Sequence, residues 1–131
     1  MVNILSNLLV VSIEQAVAAP YCSAKLADAG ARVIKVERKE GDFARYYDNF
    51  VKGQSTYFVW LNRGKESIIA DIKDPEDNKL LKTIINKSDI FIQNLLPGTL
   101  KKFKLDSKTL RKTNKKLITC DISGFGDIGP Y

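Results

Sequence analysis

The sequence predicts an α/β domain built on a mainly parallel sheet, and three observations favour that fold class. Short apolar runs alternate along the chain with segments of helical periodicity. Prolines stand near the predicted helix starts, and a glycine stands at a predicted helix end. The 131 residues are enough for one domain with a buried core but not for two full domains.

The first forty residues predict a strand, a helix and a second strand. Residues 8–13 form a nearly continuous apolar run, which is typical of a parallel strand buried on both faces. Pro20 stands at the predicted first helical position, where its missing N–H costs no hydrogen bond, and Gly30 is predicted to end this helix. Residues 33–36 follow as the second strand, which a right-handed crossover would place parallel to the first.

The middle of the chain predicts a surface excursion, a short helix, a third strand and a longer helix. Residues 39–53 are polar, charged and aromatic without a sustained period, and an aromatic cluster at 57–61 favours a short helix. Residues 67–72 are predicted to form the third strand. Asp74 is the predicted N-cap of the next helix, with Pro75 at its first position.

The last third predicts two more strands around a basic segment. Residues 89–92 form the fourth predicted strand, and a Pro-Gly turn at 97–98 ends it. Apolar residues anchor the basic segment 101–116, and residues 117–122 form the fifth strand. A glycine-rich loop follows at 123–126 with no closing helix, so we expect a sheet that is truncated after its fifth strand.

Composition excludes several classes of function. The chain contains no histidine, so it cannot by itself build a serine or cysteine nucleophile paired with histidine, or a metal site with imidazole ligands, and we expect no metal. Cys22 and Cys120 are far apart in sequence, which is typical of small buried hydrophobes in a reducing cytoplasm. The longest apolar run, 8–11, is too short to span a bilayer and follows no basic stretch, so we expect a cytoplasmic protein without membrane contact.

The net charge of +6 is concentrated in one place, because residues 101–116 alone carry eight bases and one acid. If this segment is helical, Lys108, Arg111 or Lys112, and Lys115 fall on one face. Such a basic ridge could attract phosphates, or it could be an ordinary solvated face.

Candidate ligand positions follow the first two predicted strands. The loop 14–19 lies at the carboxyl edge of the predicted sheet, where small side chains and a helix N-terminus suit an anion, although a turn needed only for packing would have the same residues. At the end of the second strand, Glu37 would suit a ribose hydroxyl and Arg38 a ribose phosphate, unless Lys35 and these two residues form a solvated strand end. No glycine triad is present, which disfavours a standard NAD site.

Polar residues beside two other predicted strands are weaker candidates. Residues 62–65 (NRGK) precede the third strand and residues 93–94 (QN) follow the fourth. Amides and bases at strand ends can orient a ligand.

Seven motifs occur in collinear order, and together they carry a family resemblance. They are 14–20 (EQAVAAP), 26–38 (LADAGARVIKVER), 41–42 (GD), 61–67 (LNRGKES), 71–73 (DIK), 93–98 (QNLLPG) and 122–126 (ISGFG). This series closely resembles the amino-terminal part of class III coenzyme A transferases, a family that includes formyl- and carnitine-coenzyme A transferases and the related α-methylacyl-coenzyme A racemases.

The resemblance implies a Rossmann-like domain over residues 1–131 that binds coenzyme A at the carboxyl edge of its sheet and is incomplete relative to the family. By residue match, the coenzyme A contacts are expected at Val17 and Ala18 for the thiol end, Arg38 for the adenosine phosphates, Ala70, Asp71, Ile72 and Lys73 for the adenine, and Asn94, Leu95, Lys102, Ser123, Gly124 and Phe125.

The resemblance also implies an activity, with two departures. Family transferases use an aspartate that attacks an acyl-coenzyme A thioester to form an acyl anhydride and a coenzyme A thiolate, which then forms an enzyme thioester. That aspartate lies beyond the glycine-rich loop, outside this sequence, so we assign no acid to its role and expect the chain to be inactive alone. Val17 stands where formyl-coenzyme A transferases have glutamine, which leaves Gln15 without an assigned role.

The implied substrates are an acyl-coenzyme A and a carboxylic acid, with short dicarboxylic acyl groups suggested by residues 14–20 and 58–63. Family dimers interlock, and a second chain could supply the rest of the enzyme. Three other interpretations stay open: a fragment of an acyl-coenzyme A racemase, a non-catalytic module that binds nucleotide or nucleic acid through the basic ridge, and a purely structural remnant.

Overall fold

A computed structural model of the chain describes residues 3–130. Its five strands are β1 (Leu9–Ile13), β2 (Arg32–Glu37), β3 (Lys65–Ile69), β4 (Ile90–Gln93) and β5 (Ile118–Asp121). They form one sheet in the order β3-β2-β1-β4-β5, and every neighbouring pair is parallel. The predicted α/β class with a Rossmann-like parallel sheet is confirmed.

Helices cover both faces of this sheet. They are α1 (Ala18–Asp28), α2 (Thr56–Asn62), α3 (Pro75–Asn86), α4 (Thr99–Lys102) and α5 (Ser107–Thr113), with a 3₁₀ turn at Phe43–Tyr46. On one face, Val10 and Val33 of the sheet pack in a cluster with Ala19 of α1. On the other face, Leu81 of α3 and Leu110 of α5 belong to the larger core cluster. The core is therefore divided by the sheet into two layers.

The helix ends follow the predicted signals with one correction. Gly30 follows α1 with a φ of +100°, as expected of a glycine that ends a helix. The side chain of Asp74 accepts hydrogen bonds from the N–H groups of Glu76 and Asp77, both at 3.0 Å, which confirms it as the cap of α3. Pro20, however, does not begin α1, which starts two residues earlier at Ala18. Since the first four N–H groups of a helix have no partner within the helix, proline is tolerated anywhere in that turn.

The third strand also differs from its prediction. It spans Lys65–Ile69 instead of 67–72, and it lies at the edge of the sheet, where half-exposed and charged positions are tolerated. Arg32 of β2 and Glu66 of β3 pair across this edge at 2.6 Å. The predicted start of this strand is two residues too late because its first residues, Lys65 and Glu66, are polar and pair with other side chains.

The segment 39–53 is less superficial than predicted. It contains the 3₁₀ turn, and Asp42 and Ala44 within it are buried. The side chain of Asp42 caps this turn by accepting a hydrogen bond from the Ala44 N–H at 2.9 Å.

The position of the central strand β1 marks the edge of the sheet where a ligand site is expected. This strand lies between β2 and β4, so the chain connections on its two sides run in opposite directions along the sheet. Open parallel sheets place ligands at the carboxyl end of such a switch point. After β5, residues 122–130 contain neither helix nor strand.

Candidate functional site

A cleft of about 660 Å³ opens at the carboxyl edge of the sheet. It is lined by the ends of three strands and the loops that follow them, at residues 13–15, 36–42 and 69–73. Leu95, after β4, and Asp77, on α3, complete the lining. Because all the strands are parallel, these segments meet at one edge.

Six of the thirteen residues predicted to bind coenzyme A line this cleft. They are Arg38, Ala70, Asp71, Ile72, Lys73 and Leu95. Four more residues of the lining, Lys39, Glu40, Gly41 and Asp42, were not predicted to contact coenzyme A. Gly41 and Asp42 belong to one of the seven family motifs, which was the available signal. The prediction therefore named residues from three separate segments that the fold brings together.

Arg38 is placed to contact a ligand. Its side chain is 60% exposed, and its Nε donates a hydrogen bond to the Gly41 carbonyl at 3.1 Å. Glu40 approaches the same nitrogen only to 4.0 Å. Within residues 3–130 its two terminal nitrogens have no hydrogen-bond partner, so the planar end of the guanidinium is available to an anion.

Glu37, by contrast, is not available for a ribose hydroxyl. Both of its oxygens accept hydrogen bonds from Arg45 at 2.7 and 2.9 Å, and Ser67 and the Asp42 N–H each add one more. Burial alone would raise the pKa of Glu37, but these donors outweigh it and hold the pKa at about 2. Glu37, the acid predicted at the end of the second strand, is therefore fully engaged by hydrogen bonds within the protein.

Lys35 belongs to a buried ionic cluster that the sequence did not reveal, consisting of Glu14, Lys35, Asp42, Asn62 and Lys65. The Lys35 ammonium donates to the Asp42 carboxylate at 2.6 Å and to the side-chain amide oxygen of Asn62 at 2.8 Å. The Lys65 ammonium donates to Glu14 at 2.7 Å. Two cations and two anions offset one another where water is excluded.

The surroundings of Lys65 and Glu14 complete this cluster. The other Glu14 oxygen accepts a hydrogen bond from the Ser23 hydroxyl at 2.6 Å, and the Pro20 carbonyl accepts one from Lys65 at 2.9 Å. Burial lowers the pKa of Lys65, and the nearby carboxylate of Glu14 opposes that shift. The cluster joins the end of β1, α1, α2 and β3, and so fixes the wall of the cleft.

The loop after β1 is held from two sides. Asn94 accepts a hydrogen bond from the Gln15 N–H at 2.9 Å and donates one to the Gln15 carbonyl at 2.8 Å. Asp42 accepts a hydrogen bond from the Ala16 N–H at 3.0 Å. Ala16 has a φ of +63°, a conformation that a residue with a Cβ adopts only when its surroundings impose it.

The remaining predicted contacts surround the cleft without lining it. Val17 and Ala18 stand at the start of α1, next to the loop held by Asn94. Lys102 ends α4 and lines a different groove. The exposed residues 123–125 follow β5.

The other polar motifs join elements of the fold. Arg63 pairs with Asp28 at 2.5 Å and also donates to the Trp60 carbonyl. Gln93 donates to Asp121 at 2.9 Å across the β4–β5 pair. These side chains are thus already engaged within the protein.

A row of half-exposed aromatic rings crosses α1, α2 and the 3₁₀ turn. Tyr21, Trp60, Tyr57, Tyr47 and Phe43 follow one another with ring centroids 5.9 to 6.1 Å apart. Each is between 36% and 49% exposed. Contiguous exposed aromatic surface is typical of a face that contacts another molecule or further polypeptide.

The cysteines are only half-buried, which corrects the expectation of two buried hydrophobes. Cys22 and Cys120 lie together against the cluster on the α1 face of the sheet. Burial raises the pKa of the Cys22 thiol, and a hydrogen bond with Cys120 raises it further.

Residues 3–130 contain no candidate for a metal site or for a membrane-spanning helix. No group of three or more cysteine or carboxylate side chains is arranged to hold a metal ion in that range. No helix there has the length and apolar character needed to cross a bilayer.

The chain is similar to known proteins over nearly its whole length. The sequence model of CoA-transferase family III matches residues 5–131. The chain is 40% identical to the succinate–glutarate CoA-transferase of Agrobacterium fabrum, over 97% of this chain and 34% of that protein. It is 39% identical to the succinyl-CoA:mesaconate CoA-transferase of Haloarcula hispanica, over 94% of this chain and 32% of that relative.

The fold is similar to that of solved proteins as well. A CAIB/BAIF family protein from Brucella suis superimposes with a TM-score of 0.88 at 39% identity, over 96% of this chain and 35% of that one. The chain spans about a third of the length of the curated relatives it matches.

Proposed function

The chain belongs to CoA-transferase family III, and on that basis we propose that its cleft binds coenzyme A for an enzyme that moves coenzyme A between carboxylic acids. The observation that carries the proposal is the convergence of six expected contact residues on one cleft at the carboxyl edge of β1, β2 and β3. Residues 1–131 are then the coenzyme A-binding amino-terminal domain.

The free end of the Arg38 guanidinium and the shape of the cleft beside it support an adenosine phosphate at this residue. The terminal nitrogens of the guanidinium have no protein partner in the described range, and Lys39 and Lys73 also line the cleft. Ala70 is buried and small, which leaves room beside it for a flat ring. We assign the phosphates to Arg38 and the adenine to the segment 70–73.

The thiol end would then run toward the start of α1. Val17 and Ala18 follow the loop that Asn94 and Asp42 hold in position, so the reacting sulfur would lie against fixed backbone. Leu95 also lines the cleft, whereas Lys102 and residues 123–125 would contact the outer parts of the ligand.

In the proposed reaction, an acyl-coenzyme A and a free acid exchange coenzyme A, so that one thioester is broken and one is formed. We propose, as the family resemblance implies, that the attacking carboxylate comes from polypeptide outside this chain. The three buried acids of the cleft, Glu14, Glu37 and Asp42, already accept hydrogen bonds from other side chains. The chain alone would then be inactive. The relatives named for succinate, glutarate and mesaconate support short dicarboxylic acids as the substrate class.

Further polypeptide is the proposed partner. The curated relatives are about three times as long as this chain, and the exposed aromatic row would be a surface for the remainder of the enzyme to cover. That remainder could be a second chain or part of an interlocked dimer.

Calorimetric titration with coenzyme A tests the binding proposal. We expect saturable binding that Arg38→Ala weakens by about tenfold, because a hydrogen-bonded charge pair contributes about 1.5 kcal/mol or more. Arg111→Ala, which removes an exposed arginine of α5 outside the cleft, is the matched control and should leave the affinity unchanged. Coenzyme A without its ribose phosphate should bind the wild type more weakly.

Either of two results contradicts the binding proposal: no saturable binding, or equal affinity in the wild type and Arg38→Ala. An assay of transfer from succinyl-coenzyme A to glutarate tests the catalytic part separately. We expect no turnover by this chain alone, and measurable turnover would show that its own acids suffice.

A further inference from the structure

A second groove, of about 850 Å³, lies between α3 and the segment formed by α4 and α5. Six lysines and no acidic residue line it: Lys73, Lys79, Lys82, Lys87, Lys102 and Lys104. The groove shares Ile72 and Lys73 with the coenzyme A cleft, and Lys102 in its lining is also an expected coenzyme A contact; Lys79, Lys82, Lys87 and Lys104 line the groove alone.

Within the described part of the chain these lysines have no ionic partner. No carboxylate of residues 3–130 lies within 4.0 Å of any of their ammonium groups, whereas Lys25, Arg32 and Arg63 are all paired. Gathering several like charges on one surface is unfavourable unless an anion offsets them. The groove is therefore suited to an anionic partner.

The lysines are spread along the two walls of the groove and do not cluster around one position. Lys79 and Lys82 of α3 and Lys87, the residue at its C-terminal cap, form one wall, and the helical rise separates the first from the last by about 12 Å. Lys102 and Lys104 occupy the opposite wall. No arginine lines the groove, although arginine is the side chain best shaped to grip a phosphate.

The floor of the groove is apolar and rigid. Ile72, Phe103 and Leu110 contribute apolar surface to it. The Asn78 amide donates hydrogen bonds to the carbonyls of Ile72 at 3.1 Å and Phe103 at 3.3 Å, which ties α3 to the end of α4. A partner would thus find a preformed apolar strip between two positive walls.

We propose that this groove docks an acidic polypeptide segment of a partner protein, with carboxylates along both walls and apolar side chains on the floor. A nucleic acid fits less well, because Phe103 is the only aromatic residue in the lining and offers no row of rings for stacking bases. The basic ridge predicted within residues 101–116 is a different surface, since Lys108, Arg111 and Lys112 lie on α5 but do not line the groove. The fourth residue of that prediction, Lys115, lies beyond the end of this helix.

Fluorescence anisotropy with a labelled synthetic peptide of glutamate and leucine tests the proposal. We expect saturable binding that falls at least tenfold in the triple variant Lys79→Ala, Lys82→Ala, Lys87→Ala. The matched control removes the same charge from α5 through Lys108→Ala, Arg111→Ala, Lys112→Ala and should change the affinity less than threefold. All six side chains lie on helix surfaces, and thermal melts will verify that both variants fold.

Two further probes separate the charge from the apolar floor. A peptide with glutamine in place of glutamate should not bind, and an all-glutamate peptide should bind more weakly than the mixed one. No peptide binding, or equal loss in the two triple variants, would overturn the proposal. Tighter binding of a short DNA duplex or of inorganic tripolyphosphate at the same site would overturn it in favour of a phosphate ligand.

The coenzyme A titration keeps the two sites distinct. The α3 triple variant should bind coenzyme A as the wild type does, because none of its three lysines lines the cleft. If it loses coenzyme A affinity while the peptide still binds, the groove belongs to the coenzyme A site and the docking proposal fails.

Discussion

The side chain of Asn94 forms two hydrogen bonds with the backbone of Gln15, one to its N–H and one to its carbonyl. These bonds join the loops after β4 and β1 at the switch point of the sheet. Sequence matching assigned Asn94 to coenzyme A contact, and the structure adds a positioning role for the same amide. The two roles can be separated by experiment.

We predict that Asn94→Ala makes the loop after β1 more mobile, because it removes both hydrogen bonds to the Gln15 backbone. The Gln15 amide should exchange with deuterium faster, and coenzyme A affinity should fall, with a loss of about 1 to 3 kcal/mol in stability from the unpaired backbone groups. Asn114→Ala is the control, because the Asn114 amide likewise forms two hydrogen bonds with the backbone, donating to the carbonyls of Asn86 and Ser88 away from the cleft. If both variants leave coenzyme A affinity unchanged, the positioning role is wrong.

The pKa of Glu37 predicts an acid-sensitive contribution to stability. Its folded value of about 2 lies below the ordinary 4.5, so the stabilisation is complete above pH 4.5 and is lost as the pH falls toward 2. Glu37→Gln should cost on the order of 3 kcal/mol at neutral pH and progressively less in that window. Denaturant unfolding at several pH values measures this, with the exposed Glu40→Gln as control. Parallel curves for wild type and Glu37→Gln would contradict the prediction.

The Lys65–Glu14 pair should behave as a coupled unit. Lys65→Met leaves the buried Glu14 carboxylate with the Ser23 hydroxyl as its closest donor and should cost about 3 to 5 kcal/mol. Glu14→Gln relieves part of that penalty, so the double variant should be more stable than the sum of the single changes predicts, by about 1 to 3 kcal/mol. Chemical denaturation of all four proteins gives the coupling energy, and simple additivity would mean that the pair does not interact.

Gly41 and Gly53 offer a matched test of space around the cleft. Both have a left-handed φ, +78° and +81°, so alanine at either site carries a similar backbone strain of about 1 to 2 kcal/mol. A Cβ at Gly41 would also lie 3.0 Å from the Cδ of Arg45, whereas nothing lies within 4 Å at Gly53. Gly41→Ala should therefore lower the melting temperature more than Gly53→Ala does, and equal losses would mean that Arg45 moves aside freely.

The succession of strands and helices along the chain could be predicted because it depends on local signals. The apolar run of β1, the cap at Asp74 and the glycine after α1 each act within a few residues. The edge strand β3 was predicted at 67–72 and not at Lys65–Ile69, because Lys65 and Glu66 are polar in sequence but paired in space.

The site was predictable only in part, for a related reason. The family motifs located Arg38 and the segment 70–73, which the fold does bring to one cleft. The ionic cluster was not predictable, since its contacts join residues 27 and 51 positions apart. Charged residues inside otherwise apolar strands, such as Lys35 in β2, were the available signal.

The ionic cluster has a kinetic consequence. Lys65 and Glu14 can meet only after β1, β2 and β3 have aligned, because 51 residues separate them and closing that span early is entropically costly. We therefore expect their bond to form late, after the rate-limiting barrier to folding has been crossed. Such late contacts leave the refolding rate nearly unchanged and slow the escape from the native state. We therefore expect the Lys65–Glu14 pair to lower the unfolding rate and so to lengthen the lifetime of the folded protein.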